Sequence, residues 1–180
     1  MDKLIIKGGS KISGSVNVHG SKNSALPIIV SSLLSKKTLK LSNVPNVVDV
    51  LNLIKLLKNY GVKIEHKKNK LKINPSKIKN LSADYDVVRK MRASILILGP
   101  LLSRFGEARI SLPGGCAIGT RPIDIHLAGL SKLGANFEIQ NGFVVGSVKS
   151  QLIGNKIKLP FPSVGAVSYT HLTLPTTRCG

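Results

Sequence analysis

Cys116 sits inside a glycine-rich loop, Leu112-Pro-Gly-Gly-Cys-Ala-Ile-Gly-Thr-Arg-Pro-Ile-Asp124, five residues before an Arg-Pro pair. Glycines let a backbone turn tightly and approach a ligand closely. A thiol held among loop amides and near a guanidinium has its pKa lowered, and the thiolate is the reactive form. Arg121 adds a rigid five-donor fork suited to a phosphate or a flat base. The loop therefore reads as a reactive thiol beside an anion site. Its plain alternative is a surface loop holding a small buried cysteine.

The elements that must position this loop come from a chain of 180 residues, enough for one good-sized domain or parts of two. Apolar content of 42% suffices for a core, although aromatic residues make up only 4% and tryptophan is absent. Cys116 and Cys179 differ too much in context to suggest a disulfide framework, and no Cys-x-x-Cys or His-x-x-x-His spacing points to a metal. The N-terminus lacks the apolar run of a signal peptide, and no stretch is long enough to span a bilayer. A cytoplasmic protein without a metal or cofactor is the expectation.

A net charge of +19 raises the question of nucleic acid, where lysines release counterions from phosphates. The lysines are spread over several predicted elements, from Lys36 and Lys37 through Lys55 and Lys58 to Lys77 and Lys79. No aromatic residues interleave with them as a stacking platform needs. The expectation is a solvated lysine-rich surface with no nucleic-acid or membrane partner, whose charge helps draw in anionic substrates.

The chain repeats itself. Ala25-Leu-Pro-Ile-Ile-Val-Ser-Ser-Leu-Leu-Ser-Lys36 parallels Ala93-Ser-Ile-Leu-Ile-Leu-Gly-Pro-Leu-Leu-Ser-Arg104. Each apolar helix is followed by a short strand, near Thr38–Leu41 and Ala108–Ser111, that runs into Pro45 or Pro113. A second, amphipathic helix then closes on glycine: Leu51, Ile54 and Leu57 precede Gly61, and Ile125, Leu127, Leu130 and Leu133 precede Gly134. A strand pair ends each copy, Val62–Glu65 with Leu71–Ile73 and Asn136–Ile139 with Phe143–Val148. The unit is β-α-β-α-β-β. The copies keep register from Ala25/Ala93 to Pro45/Pro113 and then part, the second gaining roughly five residues of loop, a common form of length variation. The gain falls in Gly114–Arg121, a positional argument for function that does not depend on chemistry. A third copy begins at Ile157-Lys-Leu-Pro-Phe-Pro-Ser-Val-Gly-Ala166 and then loses its helical period. The stretch Val167–Gly180 is therefore expected to be foreign, so Tyr169, His171, Arg178 and Cys179 carry no functional weight.

Four motifs in order, Gly20-Ser-Lys-Asn-Ser-Ala-Leu-Pro27, Lys90-Met-Arg-Ala-Ser94, the cysteine loop to Pro122, and Pro162-Ser-Val-Gly-Ala166, give the chain a family resemblance. It resembles the enolpyruvyl transferase family, in its UDP-N-acetylglucosamine 1-carboxyvinyltransferase branch, from Met1 to Ala166. The resemblance covers less than half of a usual member. It implies an α/β fold of the α+β type: the repeated units build an inside-out α/β barrel with helices inside and sheets outside, here truncated. Residues 1–20 would be strands belonging to a second lobe, 21–166 the first lobe with two repeats and the start of a third, and 167–180 the foreign tail. Without the second lobe, Leu4–Ile6 and Ser15–Val18 would be strands with exposed edges prone to mispairing.

The resemblance also implies roles. The reaction adds a sugar 3-hydroxyl to C2 of phosphoenolpyruvate while C3 takes a proton, and the tetrahedral intermediate then expels phosphate. Cys116 matches the family's reactive cysteine, which donates a proton or assists product release and is alkylated by fosfomycin. Lys22, Arg92 and Arg121 match cations near phosphoenolpyruvate, acting where negative charge develops. Asn23 matches a residue that hydrogen-bonds the sugar. Arg121 and Pro122 flank the uracil ring, with Asp124 and His126 following, and Ser163, Val164 and Gly165 match diphosphate contacts. Asp49 matches an acid that helps arrange the site. The family's later proton-accepting Asp and phosphate-binding Arg would lie beyond Ala166, so no catalysis is expected of this chain alone. Pro160 replaces a lysine found in some relatives, and Leu96 occupies a helix that carries Trp in others.

Each assignment has a structural alternative. Asn23 could cap a helix. Asp49 and Asp124 could simply favour helix dipoles, and His126 could lie on a helix's polar side. His19 and His66 read as ordinary surface or strand residues, and Ser163-Val-Gly as a plain helix entry. Arg92 falls within the predicted helix Val87–Leu102, where an unpaired charge is expensive, which favours a cleft-facing role. Two further functional readings stay open: a 3-phosphoshikimate 1-carboxyvinyltransferase-like enzyme, which does not use the Gly-Gly-Cys loop, and a non-catalytic basic fragment that binds nucleotide or RNA.

Overall fold

The computed structural model describes residues 3, 5–9, 11, 13–79, 81, 92–112 and 123–158, with the side chains of Arg92 and Ala93 excluded. Within these residues the internal repeat is visible as two sheets of the same topology. The first copy runs α1 (Lys22–Ser31), a 3₁₀ turn (Ser32–Leu34), β1 (Leu39–Leu41), α2 (Val48–Asn59), β2 (Lys63–Lys67) and β3 (Lys70–Asn74). The second runs a 3₁₀ segment (Arg92–Ile97), α3 (Leu98–Phe105), β4 (Glu107–Ser111), α4 (Asp124–Lys132), β5 (Ala135–Gln140) and β6 (Phe143–Val148). The sheets are antiparallel, ordered β1-β3-β2 and β4-β6-β5, so in both the last strand of the copy lies in the middle.

Period-2 burial sets each sheet's inner face. Leu71 and Ile73 of β3, and Val144 and Gly146 of β6, point inward, opposite Leu39 and Leu41 or Ala108 and Ile110. Gly146 is small because the Phe137 ring covers it from the neighbouring strand. The helices fill the space between the sheets with one continuous apolar cluster, including Ile29, Val30, Leu33, Leu53, Leu56, Ile97, Leu98 and Leu101. On α2 the inward residues are Val50, Leu53, Ile54, Leu56 and Leu57, whereas Leu51 lies at the exposed edge of the stripe, contrary to its expected place in the core. A 3.6-residue period turns Leu53 and Leu56 inward and carries Leu51 outward.

The two first helices differ because their prolines differ. Pro27 lies inside α1, and the last turn tightens to 3₁₀ geometry while Ser31 and Ser32 donate their hydroxyls to the Ile28 and Ile29 carbonyls. Pro100 is the third residue of α3, where its missing N–H has no intrahelical partner to lose. The described part of the predicted helix Val87–Leu102 is therefore 3₁₀ up to Ile97 and α-helical beyond. Gly61 and Gly134 close α2 and α4 with φ of +90° and +101°, the left-handed stop that glycine makes without strain.

The strand expected at Ser15–Val18 is not formed. No described strand pairs with it, and Val16 and Val18 stand 89% and 86% exposed. A strand needs a neighbour to take its N–H and C=O groups, and an isolated one leaves alternation without a partner. Ile5 and Ile6 are likewise exposed and unpaired, while Leu4 lies outside the described residues.

Tyr60 closes α2 in the core, and its hydroxyl is buried without a hydrogen-bond partner among the described residues. Burial pushes this phenol far above its ordinary value of about 10. Above about pH 10 the unfolded chain ionises Tyr60 while the folded chain keeps its proton. The folded state then binds more protons, and stability falls as pH rises, by up to about 1.4 kcal/mol per pH unit. Tyr60→Phe is expected to remove that slope and to leave neutral-pH stability unchanged or about 1 kcal/mol higher. Urea unfolding at neutral and alkaline pH checks this; a neutral-pH loss above about 1 kcal/mol would show a hydroxyl that earns a hydrogen bond.

Candidate active site

The site begins at the N-terminus of α1. Ser21, in extended conformation, precedes the helix without a side-chain cap, and its carbonyl accepts from Ala25 N at 2.9 Å. The first-turn amides thus lack side-chain partners, and no acidic residue sits in this turn. Lys22 opens the helix, an unfavourable place for a cation beside the positive end of the dipole. Its ammonium is held instead by Asp49, Nζ to Oδ2 at 2.8 Å. Asp49 lies in the first turn of α2, where an acid is favourable, so one carboxylate serves two helix starts. The side chains are 48% and 37% exposed, and a pair that open contributes only about 0–1 kcal/mol to stability. Its consequence is to fix where the ammonium stands.

A clasp between two loops sets this pairing up. Gly20 N–H donates to Asn43 Oδ1 at 3.2 Å, while Asn43 adopts φ +55°. Val44 N–H reaches the carbonyl of Asn69 in the β2–β3 turn at 2.8 Å. The segment before α1 is thereby tied to the segment before α2. A methyl group on Gly20 would collide with the backbone carbonyl oxygen of Asn43. Gly20→Ala is therefore expected to cost about 1–3 kcal/mol, read as a lower urea midpoint. Gly20 opens one of the four sequence motifs, but nothing in the pattern paired it with Asn43; an Asn two residues before Pro45 was the available signal.

Asn23 is the second residue of α1 rather than its cap, so the capping alternative fails for it. Its side chain is exposed. Pro27 lacks the N–H that would bond back to the Asn23 carbonyl, leaving that acceptor free of its helical partner. Lys22 and Asp49 are thus brought together, with Asn23 the next residue of the same helix start.

The cysteine loop is held at both ends. Leu112 N–H donates to Gly142 O in the β5–β6 turn at 2.8 Å. Ile123 packs on the core, and its carbonyl accepts from His126 and Leu127 N–H at 2.9 and 3.1 Å. The strand-to-helix connection is residues 42–47 in the first copy and 112–123 in the second, which locates the added length as expected. Asp124 opens α4 and is exposed; His126, half-buried, follows on the same turn. Asp124 also borders a cleft with Ile125, Ala128, Gly129 and Lys132 that Ile157 and Lys158 complete. Arg92 begins the 3₁₀ segment that packs against α1. Cys116, Arg121, Pro122, Ser163, Val164 and Gly165, and the stretch 167–180, lie outside the described residues. His19 is exposed, and His66 lies half-buried on β2. Among the described residues no helix is long and apolar enough to cross a membrane.

Known proteins share this fold. Residues 6–177 match the family model of EPSP synthase (3-phosphoshikimate 1-carboxyvinyltransferase). Two solved enolpyruvyl transferases have the same fold. NikO from Streptomyces tendae superposes with a TM-score of 0.68 at 21% identity, over 81% of this chain and 32% of its own. EPSP synthase from Acinetobacter baumannii also reaches 0.68, at 20% identity over 88% and 37%. The chain belongs to the EPSP synthase family of enolpyruvyl transferases. Among curated relatives, it is 54% identical over 157 residues to the UDP-N-acetylglucosamine 1-carboxyvinyltransferase of Campylobacter fetus, covering 87% of this chain and 38% of that enzyme. It is 51% identical over 180 residues to the Buchnera aphidicola enzyme of the same name, covering 100% and 43%. The chain thus spans about two-fifths of the length of the relatives it matches.

Proposed function

We propose that this chain is the first lobe of an enzyme that transfers the enolpyruvyl group of phosphoenolpyruvate to the 3-hydroxyl of UDP-N-acetylglucosamine and releases phosphate, the lobe binding substrate but not turning over alone. The observation that carries this reading is identity of 46–54% to relatives that bear this activity in their names. The loop Gly114-Gly-Cys116 and the Lys22–Asp49 pair support it from the chain itself.

In this reading the hydroxyl gives its proton to the family's later Asp, beyond Ala166, as its oxygen bonds to C2 of phosphoenolpyruvate and C3 gains a proton, giving a tetrahedral adduct. Loss of a C3 proton with cleavage of the bond between C2 and the phosphate ester oxygen then regenerates the vinyl group and expels phosphate. Negative charge is present throughout on the carboxylate and phosphate. Lys22, fixed by Asp49 beside the free first-turn amides of α1, offers a preorganised cation that needs no reorganisation during reaction. Arg92 and Arg121 add charge to the same anion, and Cys116 supplies the thiol that protonates or assists release. Asn23 orients the sugar, Arg121 and Pro122 take the uracil, Asp124 and His126 border it, and Ser163, Val164 and Gly165 take the diphosphate.

The test is mass spectrometry of Cys116 after exposure to fosfomycin, with and without UDP-N-acetylglucosamine, beside calorimetric titration of that nucleotide and of shikimate 3-phosphate. Alkylation of Cys116 that the sugar nucleotide accelerates, with binding of that nucleotide alone, is expected. Binding of shikimate 3-phosphate with an unreactive Cys116 would replace this proposal with the shikimate reading.

A further inference from the structure

Lysines that look dispersed along the chain converge on one surface once the first sheet forms. Its outer face carries Lys40 on β1, Lys70 and Lys72 on β3, and Lys63 and Lys67 on β2, all exposed. The register sets Lys40 directly opposite Lys72, and Lys67 directly opposite Lys70. Like charges facing each other across strands are destabilising. The one acidic residue on the face, Glu65, is already taken by Lys72 at 3.0 Å. With strands about 4.8 Å apart and same-face residues about 6.8 Å apart along each, the five ammonium groups occupy a patch roughly 10 by 14 Å.

The second sheet is an internal control, since it is the same unit in the same chain. Where the first has the row Lys40, Lys72, Glu65, the second has Arg109, Val145, Glu138. Where the first has Lys70 and Lys67, the second has Phe143 and Gln140, and Arg109 lies 4.4 Å from the Phe143 ring. A chain-wide excess of lysine would decorate both faces. The concentration on one face, kept despite its self-repulsion, calls for an anionic partner.

We propose that the outer face of the first sheet docks the phosphate backbone of a nucleic-acid duplex without reading its sequence. This departs from the expectation that the lysines merely solvate the chain. The face has no aromatic residue on which unpaired bases would stack, which disfavours a single strand. It has no apolar side chain to enter a bilayer, which disfavours a membrane surface. What remains is a dense array of flexible cations, suited to phosphates by counterion release.

The experiment is fluorescence anisotropy of the full chain with a labelled DNA duplex between about 50 and 200 mM salt. Lys40→Gln/Lys67→Gln/Lys70→Gln is compared with Lys55→Gln/Lys149→Gln/Lys156→Gln, which removes equal charge from exposed positions elsewhere and serves as the folding and net-charge control. The first triple is expected to flatten the log–log salt slope by about 0.9 per lysine, roughly 2.7 in all, and the control by far less. Calorimetric binding of UDP-N-acetylglucosamine is expected to be unchanged by either triple, which separates this inference from the proposed activity. Equal slopes for both triples, no binding by the parent chain, or a face-specific loss seen only with phosphatidylserine vesicles would overturn it.

Discussion

In an enzyme that joins this chain to the second lobe its family resemblance implies, Lys22→Ala is expected to lower kcat/KM for enolpyruvyl transfer by about 10²–10³, the size of effect seen when one preorganised charge or donor is removed from a developing anion. Among the described residues the ammonium is the cation that opens α1, and the neighbouring first-turn amides cannot replace its charge. Asp49→Asn is expected to act through it. The amide retains a polar contact but no longer anchors the ammonium by charge, so the loss is smaller, about tenfold, and much of it vanishes once Lys22 is absent. A double-mutant cycle in kcat/KM reads this coupling. Thermal or urea stability serves as the contrast, because a pair this exposed contributes little to folding. Additive losses from the two substitutions would remove Asp49 from any positioning role.

Arg104→Ala is expected to destabilise the fold by about 3 kcal/mol, the largest stability effect of any single change proposed for this chain. The Arg104 guanidinium reaches three backbone carbonyls in two loops: Nη1 donates to Leu33 O at 2.9 Å and to Ser35 O at 3.2 Å, and Nη2 donates to Pro75 O at 3.1 Å. It also lies 4.9 Å from the Phe105 ring. Arg104 stands at the end of α3, where a cation suits the dipole, and it ties the second copy to both ends of the first. Partial burial lowers its pKa through desolvation, and the guanidinium keeps its charge. A charged hydrogen bond is worth about 1.5–3 kcal/mol, and half-exposure of the side chain discounts the sum of three. Arg104→Lys is expected to recover less than half of the loss, since one ammonium cannot span the carbonyls that the planar fork reaches together. Urea unfolding of the three proteins decides it; a loss below about 1 kcal/mol would mean that water serves these carbonyls as well.

The repeat was legible because its cause is local. Apolar residues at helical spacing, alternation in the strand pairs, and glycines at Gly61 and Gly134 each specify their own element wherever it lies. Equal spacing from Ala25/Ala93 to Pro45/Pro113 required the two copies to fold alike, and β1-β3-β2 recurs as β4-β6-β5. The extra connection between β4 and α4 was legible for the same reason. The site motifs around Lys22 and Cys116 identified the family, and the match over residues 6–177 agrees.

Pairing across the chain was not legible, because it depends on which groups distant segments bring within reach. Nothing in the spacing of Lys22 and Asp49 says that their helices start side by side; the Gly20–Asn43 clasp decides that. Arg104 read as the basic end of a helix, and only the packed loops supply its carbonyls. Ser15–Val18 has the alternation of a strand, yet alternation specifies a face and not a partner, and the described residues give it none. The lysines follow the same logic. By itself the sequence determined which residues face solvent; the register of three strands decided that five ammonium groups would share one surface.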